Sequence, residues 1–137
     1  MQYLNFGIMK HLLLLLVAFS LFSCAKKQDK ACTALFAMIT IQVKDTLNNP
    51  VLLDSTSIFV PSTNSYLSIL TDDFYKSNGE YVVFSDEFIH LTSEKKSLEI
   101  IFKGFKNNNL KVNESIKVSQ DGCHVTKVSG NSSVIVQ

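Results

Sequence analysis

Ile39-Thr40-Ile41-Gln42-Val43-Lys44 alternates branched apolar residues with polar ones at every step. A repeat of two is that of a strand, whose side chains point alternately to opposite faces, and not the 3.6-residue repeat of a helix. Ile39, Ile41 and Val43 are therefore expected to face a core. Leu98-Glu99-Ile100-Ile101-Phe102-Lys103 repeats the pattern, with Leu98, Ile100 and Phe102 on the apolar face. Ile116 and Val118 flank Lys117 in a third such run. Shorter apolar stretches at 58–60, 66–70 and 81–84 follow the same logic, with terminal ones at 125–128 and 134–136. Turn-forming residues separate them: Asn48-Asn49-Pro50, Pro61-Ser62, Ser77-Asn78-Gly79, Asn107-Asn108-Asn109, Asp121-Gly122 and Gly130-Asn131. About seven short strands at this spacing predict an all-β fold, an antiparallel sandwich. No stretch after Cys24 has the periodicity of a long amphipathic helix, and 86–91 is expected as a loop or a single turn.

Upstream of these strands the pattern changes. Lys10, beside His11, precedes an unbroken apolar run over 12–19, and small or apolar residues lead to Cys24. The run is too short to remain as a membrane-spanning helix, which needs roughly 20 residues. Residues 1–23 are expected to be a cleaved signal peptide, helical while in the membrane, with Met1 or Met9 as the start. Leu21-Phe22-Ser23-Cys24 resembles the lipobox of bacterial lipoproteins. The resemblance implies that the Cys24 thiol takes a diacylglycerol, that the leader is cut before it, and that the freed amine takes a further palmitate-type chain. Two or three acyl chains hold firmly where one does not. The competing reading is an ordinary cysteine that happens to follow an apolar run. Residues 24–34 then read as a lipidated tether, beginning Ala25-Lys26-Lys27-Gln28-Asp29-Lys30-Ala31, and 35–137 as the sandwich domain. Position 25 is not the aspartate of the inner-membrane sorting rule, which implies the outer membrane. The basic rather than acidic tether favours a periplasm-facing orientation.

Composition narrows the function classes. The chain has 13 Lys, no Arg, and 12 Asp and Glu, for a formal net charge of +1. With Lys10 in the export segment, the remaining lysines balance the acids. A neutral surface lacks the basic face that displaces counterions from nucleic acid. Without Arg there is no planar fork for bidentate recognition of phosphate or carboxylate.

With Cys24 assigned to lipid, Cys32 and Cys123 remain as an even pair in an oxidising compartment, where a disulfide is expected. The alternative is two reduced thiols or metal ligands, with only His124 beside one of them as a further donor. Several motifs then fall in order: Cys32-Thr33, Val43-Lys44-Asp45 turning into Pro50-Val51, Gly79-Glu80-Tyr81, Lys103-Gly104-Phe105-Lys106, and Asp121-Gly122-Cys123-His124-Val125. This order resembles the carboxypeptidase regulatory-like domain, a transthyretin-like (Ig-like) sandwich carried by small Bacteroidota-type lipoproteins, over nearly all of the mature chain. The resemblance implies a disulfide between the early cysteine and that of the Cys-His-Val run, and a non-catalytic accessory role. Leu52-Leu53-Asp54-Ser55 departs from it, standing where a small Gly-Ala stretch is usual.

Catalytic signals are sparse. The mature chain has two histidines, His90 and His124, no nucleophile-elbow serine, no glycine-rich phosphate loop and no His-Glu-x-x-His run. No cofactor is expected. Asp72-Asp73 with Asn78, Gly79 and Glu80 gathers oxygen ligands of the type calcium takes, at spacing that does not match an EF-hand, so a solvated acidic turn is the favoured reading. Tyr66, Phe74, Tyr75 and Tyr81 form an aromatic group for which core packing is favoured over sugar or protein binding. The expectation is a membrane-anchored, non-enzymatic binding or structural module whose partner is an envelope protein or glycan. The alternative is a small periplasmic enzyme or metal-binding protein using His90, His124 and the Asp72/Asp73 loop.

Overall fold

The computed structural model describes residues 30–137. The expectations for residues 1–29, the export segment and Cys24 among them, lie outside the described residues. Eight strands follow in chain order: β1 Met38–Lys44, β2 Ser55–Val60, β3 Ser65–Leu67, β4 Glu80–Ser85, β5 Leu98–Lys106, β6 Asn109–Gln120, β7 Val125–Ser129 and β8 Ser133–Ile135. A one-turn helix, α1 Asp73–Ser77, precedes β4, and a 3₁₀ segment, Asp86–Leu91, follows it. The strands form two sheets, ordered β4-β1-β8 and β3-β2-β5-β6-β7. The fold is an all-β sandwich.

The predicted alternation places the core. Ile39, Ile41 and Val43 of β1 and Tyr81 and Phe84 of β4 face Ile100 and Phe102 of β5 and Val112, Ile116 and Val118 of β6, all buried. The Tyr81 and Phe102 rings meet across the sandwich with centroids 6.0 Å apart. The β5–β6 hairpin turns through Asn107 and Asn108, both with positive φ (50° and 60°). Asparagine tolerates that left-handed conformation, and a two-residue turn of this hand matches the twist of the flanking strands. Just before the turn, Gly104 pairs with Val112, and a Cβ there would lie 2.5 Å from Leu53 Cδ1. The absent side chain leaves the space that Leu53 fills. Asp54 then binds the same hairpin, its backbone N–H donating to Phe105 O (2.8 Å) and its carboxylate accepting from Asn107 N–H (2.5 Å). Leu52-Leu53-Asp54-Ser55 is thus the segment that docks β2 onto β5.

Three details differ from the sequence reading. The predicted strand over 66–70 ends at Leu67, because residues 68–71 leave β3 and run beside β4, where the Thr71 hydroxyl accepts from Val82 N–H (3.2 Å). The expected antiparallel arrangement holds for every named strand pair except β1 and β8, which run parallel. After β7 the chain turns at Gly130 (φ 108°), where a Cβ would lie 2.9 Å from Ser115 O, and crosses to the other sheet. It therefore arrives beside β1 from the opposite edge. The 86–91 stretch, expected as a loop or turn, is the 3₁₀ segment.

Candidate functional site

The densest polar cluster lies where the incoming chain meets the sandwich. Cys32 is bonded to Cys123, with Cα atoms 5.3 Å apart across 91 positions of sequence. Both cysteines stand outside the strands. The Asp121 carboxylate accepts from the N–H groups of Cys123 and His124 (both 2.9 Å), which folds these residues into a turn just before β7. The aspartate-capped turn, and not a strand, thus sets the directions of Cys123 and His124. Backbone N–H donation, with Lys30 nearby, outweighs desolvation at Asp121 and holds its pKa down to about 2.

Asp86 is the hub of the cluster. It opens the 3₁₀ segment, and its carboxylate makes three contacts to two parts of the chain, residue 37 and residues 124–125. Oδ2 accepts from Ala37 N–H (2.8 Å) and contacts His124 Nδ1 (2.7 Å), and Oδ1 accepts from Val125 N–H (2.8 Å). The Asp86 side chain is 13% exposed. Burial of the carboxyl pushes its pKa up, but the donors from Ala37, His124 and Val125 prevail and hold it below the usual carboxylate value. On the far side of the ring, His124 Nε2 lies 2.9 Å from the Thr33 hydroxyl. Residues 32–37 are thereby fastened to β7 and the 3₁₀ segment by one covalent bond and several hydrogen bonds.

Thr33, His124 and Asp86 form a hydroxyl–imidazole–carboxylate chain, the order found in nucleophilic hydrolases. Such a chain also needs a place for substrate and donors for a developing oxyanion. A groove of the domain lies elsewhere. It occupies about 540 Å³ between β2 and residues 66–71, lined by Ser55, Ser57, Tyr66, Ile69, Thr71 and Lys76 among others. Its wall is rich in hydroxyls, with Tyr66 exposed on it.

The other sequence-predicted residues do not assemble. Asp72 caps α1, accepting from Phe74 N–H (2.8 Å), and Asp73 pairs with Lys76 (3.4 Å). His90 lies exposed on the 3₁₀ segment, and its imidazole makes no hydrogen bond among the described residues. Neither it nor the Asp72/Asp73 turn bonds to His124, whose partners are Asp86 and Thr33. Among the described residues no group of three or more His, Cys, Asp or Glu is placed to hold a metal ion. The aromatic group divides: Tyr81 is buried, Tyr66 packs on Phe59 (5.1 Å between centroids), and Phe74 stands exposed against Tyr75. The Tyr81 hydroxyl accepts from Leu53 N–H (2.6 Å) and donates to Val51 O (3.0 Å), tying the β1–β2 connection to the core. Burial, reinforced by Asp54, raises its pKa above the ordinary value of 10.0. Asp86 itself was not singled out from sequence; its one local signal is an acid opening a short turn directly after a strand.

No protein-family model, curated protein or solved structure matches the chain.

Proposed function

We propose that this chain is a lipoprotein of the bacterial cell envelope, acylated at Cys24 and anchored in the outer membrane facing the periplasm. Its sandwich acts as a non-catalytic binding or structural module of the carboxypeptidase regulatory-like kind, for an envelope protein or a glycan. The observation that carries the reading is the Cys32–Cys123 disulfide. A structural disulfide belongs to an oxidising compartment, and this one consumes every cysteine but Cys24. The non-catalytic role is supported by what Asp86 does: two of its three contacts are to backbone N–H groups, so the carboxylate organises the chain entry. The hydroxyl-rich groove with exposed Tyr66 suits a glycan or an extended peptide.

Cys24→Ser tests the anchor. The variant is expected in the soluble fraction, with the wild type in membranes and its mass raised by acyl chains. A variant that stays in the membrane fraction, or a wild type with no added mass, refutes it. A second reading, hydrolysis, is favoured by the Thr33–His124–Asp86 chain alone. It predicts p-nitrophenyl acetate turnover that His124→Ala abolishes with the fold intact; equal rates in the two proteins remove it.

A further inference from the structure

Beside the outer face of the three-stranded sheet, several apolar side chains stand exposed among the described residues. Inward-facing Ile39 and Ile41 leave Met38 and Thr40 on the outside, and Thr40 pairs with Val82 of β4. Around buried Val82 stand Phe36, Met38 and Leu70, which line one depression of about 250 Å³ together with Ile69, Ser85 and Glu87. Leu70 is 93% exposed, Phe36 61% and Met38 42%, and Leu35 beside Phe36 is 76% exposed. Single exposed apolar residues are ordinary; a contiguous group marks contact with another apolar phase or partner.

The place of this patch in the chain says what that phase is. Phe36 and Met38 lie at the point where the polypeptide enters the sandwich, and Cys32 is pinned there by its bond to Cys123. Lys30, the first described residue, is only six positions after Cys24, and an extended chain over that offset spans at most about 22 Å. A domain held by acyl groups on Cys24 is therefore kept within a short distance of the bilayer, with its entry end nearest. At that distance the effective concentration of lipid is high, so a few apolar side chains suffice to orient the domain without anchoring it themselves. Lys26 and Lys27 in the intervening segment suit the anionic headgroup layer. Glu87, at the rim, is the acid that such a contact must leave in water.

We propose that Phe36, Met38 and Leu70, with Leu35, form a membrane-contacting face that seats the anchored domain on the lipid surface. The bilayer then covers the outside of the β4-β1-β8 sheet as far as residues 68–70, which form the rim shared with the groove beside Tyr66, and the five-stranded sheet remains accessible to a partner. This inference rests on the anchoring reading above, and the experiment separates the two. The chain has no Trp, so one introduced Trp reports alone. Leu70→Trp is compared with Lys117→Trp, which lies exposed on β6, on the outer face of the five-stranded sheet. Each chain, beginning at Cys24, is coupled through that thiol to maleimide-phosphatidylethanolamine in phosphatidylethanolamine/phosphatidylglycerol vesicles containing lipids brominated in the acyl chains. This supplies an anchor whether or not the cell acylates Cys24.

Quenching of Leu70→Trp at least threefold stronger than that of Lys117→Trp is expected, and Phe36→Ser with Met38→Ser in the same chain should bring it down to the control. Equal quenching at the two positions overturns the proposal. So does concentration-dependent dimerisation with Leu70→Trp shielded in the absence of lipid, which assigns the face to a second copy. Because the anchor here is synthetic, loss of native acylation would refute the anchoring reading through the Cys24→Ser fractionation and leave this readout intact.

Discussion

Replacing Asp86 with Ala tests whether one carboxylate holds the chain entry to the sandwich. The substitution removes the acceptor for Ala37 N–H, Val125 N–H and His124 Nδ1 at once. Hydrogen bonds to a charged acceptor contribute about 1.5 kcal/mol or more each, while a freed donor that reaches water recovers part of that. Ala37 and His124 are only half-buried, so about 1 kcal/mol per contact is the working figure, or about 3 kcal/mol in all. For a domain of roughly 100 residues this lowers Tm by about 15 °C. The pH dependence adds a second readout. Because the folded pKa of Asp86 lies below its unfolded value of 3.8, its contribution is fully present above that value and is lost as pH falls through the lower folded pKa. The gap between wild type and Asp86→Ala should therefore be present at pH 7 and narrow as pH falls below about 4. Thermal unfolding followed by circular dichroism, on chains starting after Cys24, measures both. A change of less than about 0.5 kcal/mol at pH 7, the level of an ordinary surface substitution, refutes the hub assignment, as does a gap that persists undiminished at pH 2.

Two further outcomes follow from the same contacts. Replacing Cys32 and Cys123 with Ser opens a ring spanning 91 positions and should lower stability in guanidinium titrations by up to roughly 4–5 kcal/mol, the loop-closure ceiling; coincident curves with and without reductant for the wild type would remove the staple. Tyr81→Phe takes the acceptor from Leu53 N–H and the donor from Val51 O in a buried setting, and a loss of about 2 kcal/mol in urea unfolding is expected, with an unchanged midpoint counting against it.

The sandwich itself was legible because its signal is local. Ile39, Ile41 and Val43, like Ile100 and Phe102, are two apart, and the pleat sends every second side chain to one face whatever lies around it. Asn107 and Asn108 declared the β5–β6 turn for the same reason, since the conformation a residue tolerates is its own property. The pairing of Cys32 with Cys123 could be expected once Cys24 was set aside, because only two thiols remained.

Asp86, by contrast, carries no sign of its role: its donors Ala37 and Val125 lie 49 and 39 positions away, and no periodicity links residues at such separations. His124 was visible as a titratable group, but its neighbours were not, and the acids nearest in expectation, Asp72 and Asp73, were drawn into capping α1 and pairing with Lys76. The exit of residues 68–71 from β3 and the parallel arrival of β8 were equally hidden, being settled by which sheet edge stood open. Strand identity and inward faces thus came from the chain's own two-residue pattern. The polar clasp, the parallel edge and the exposed apolar face came from packing the two sheets together, because only that brings residues distant in sequence within bonding reach.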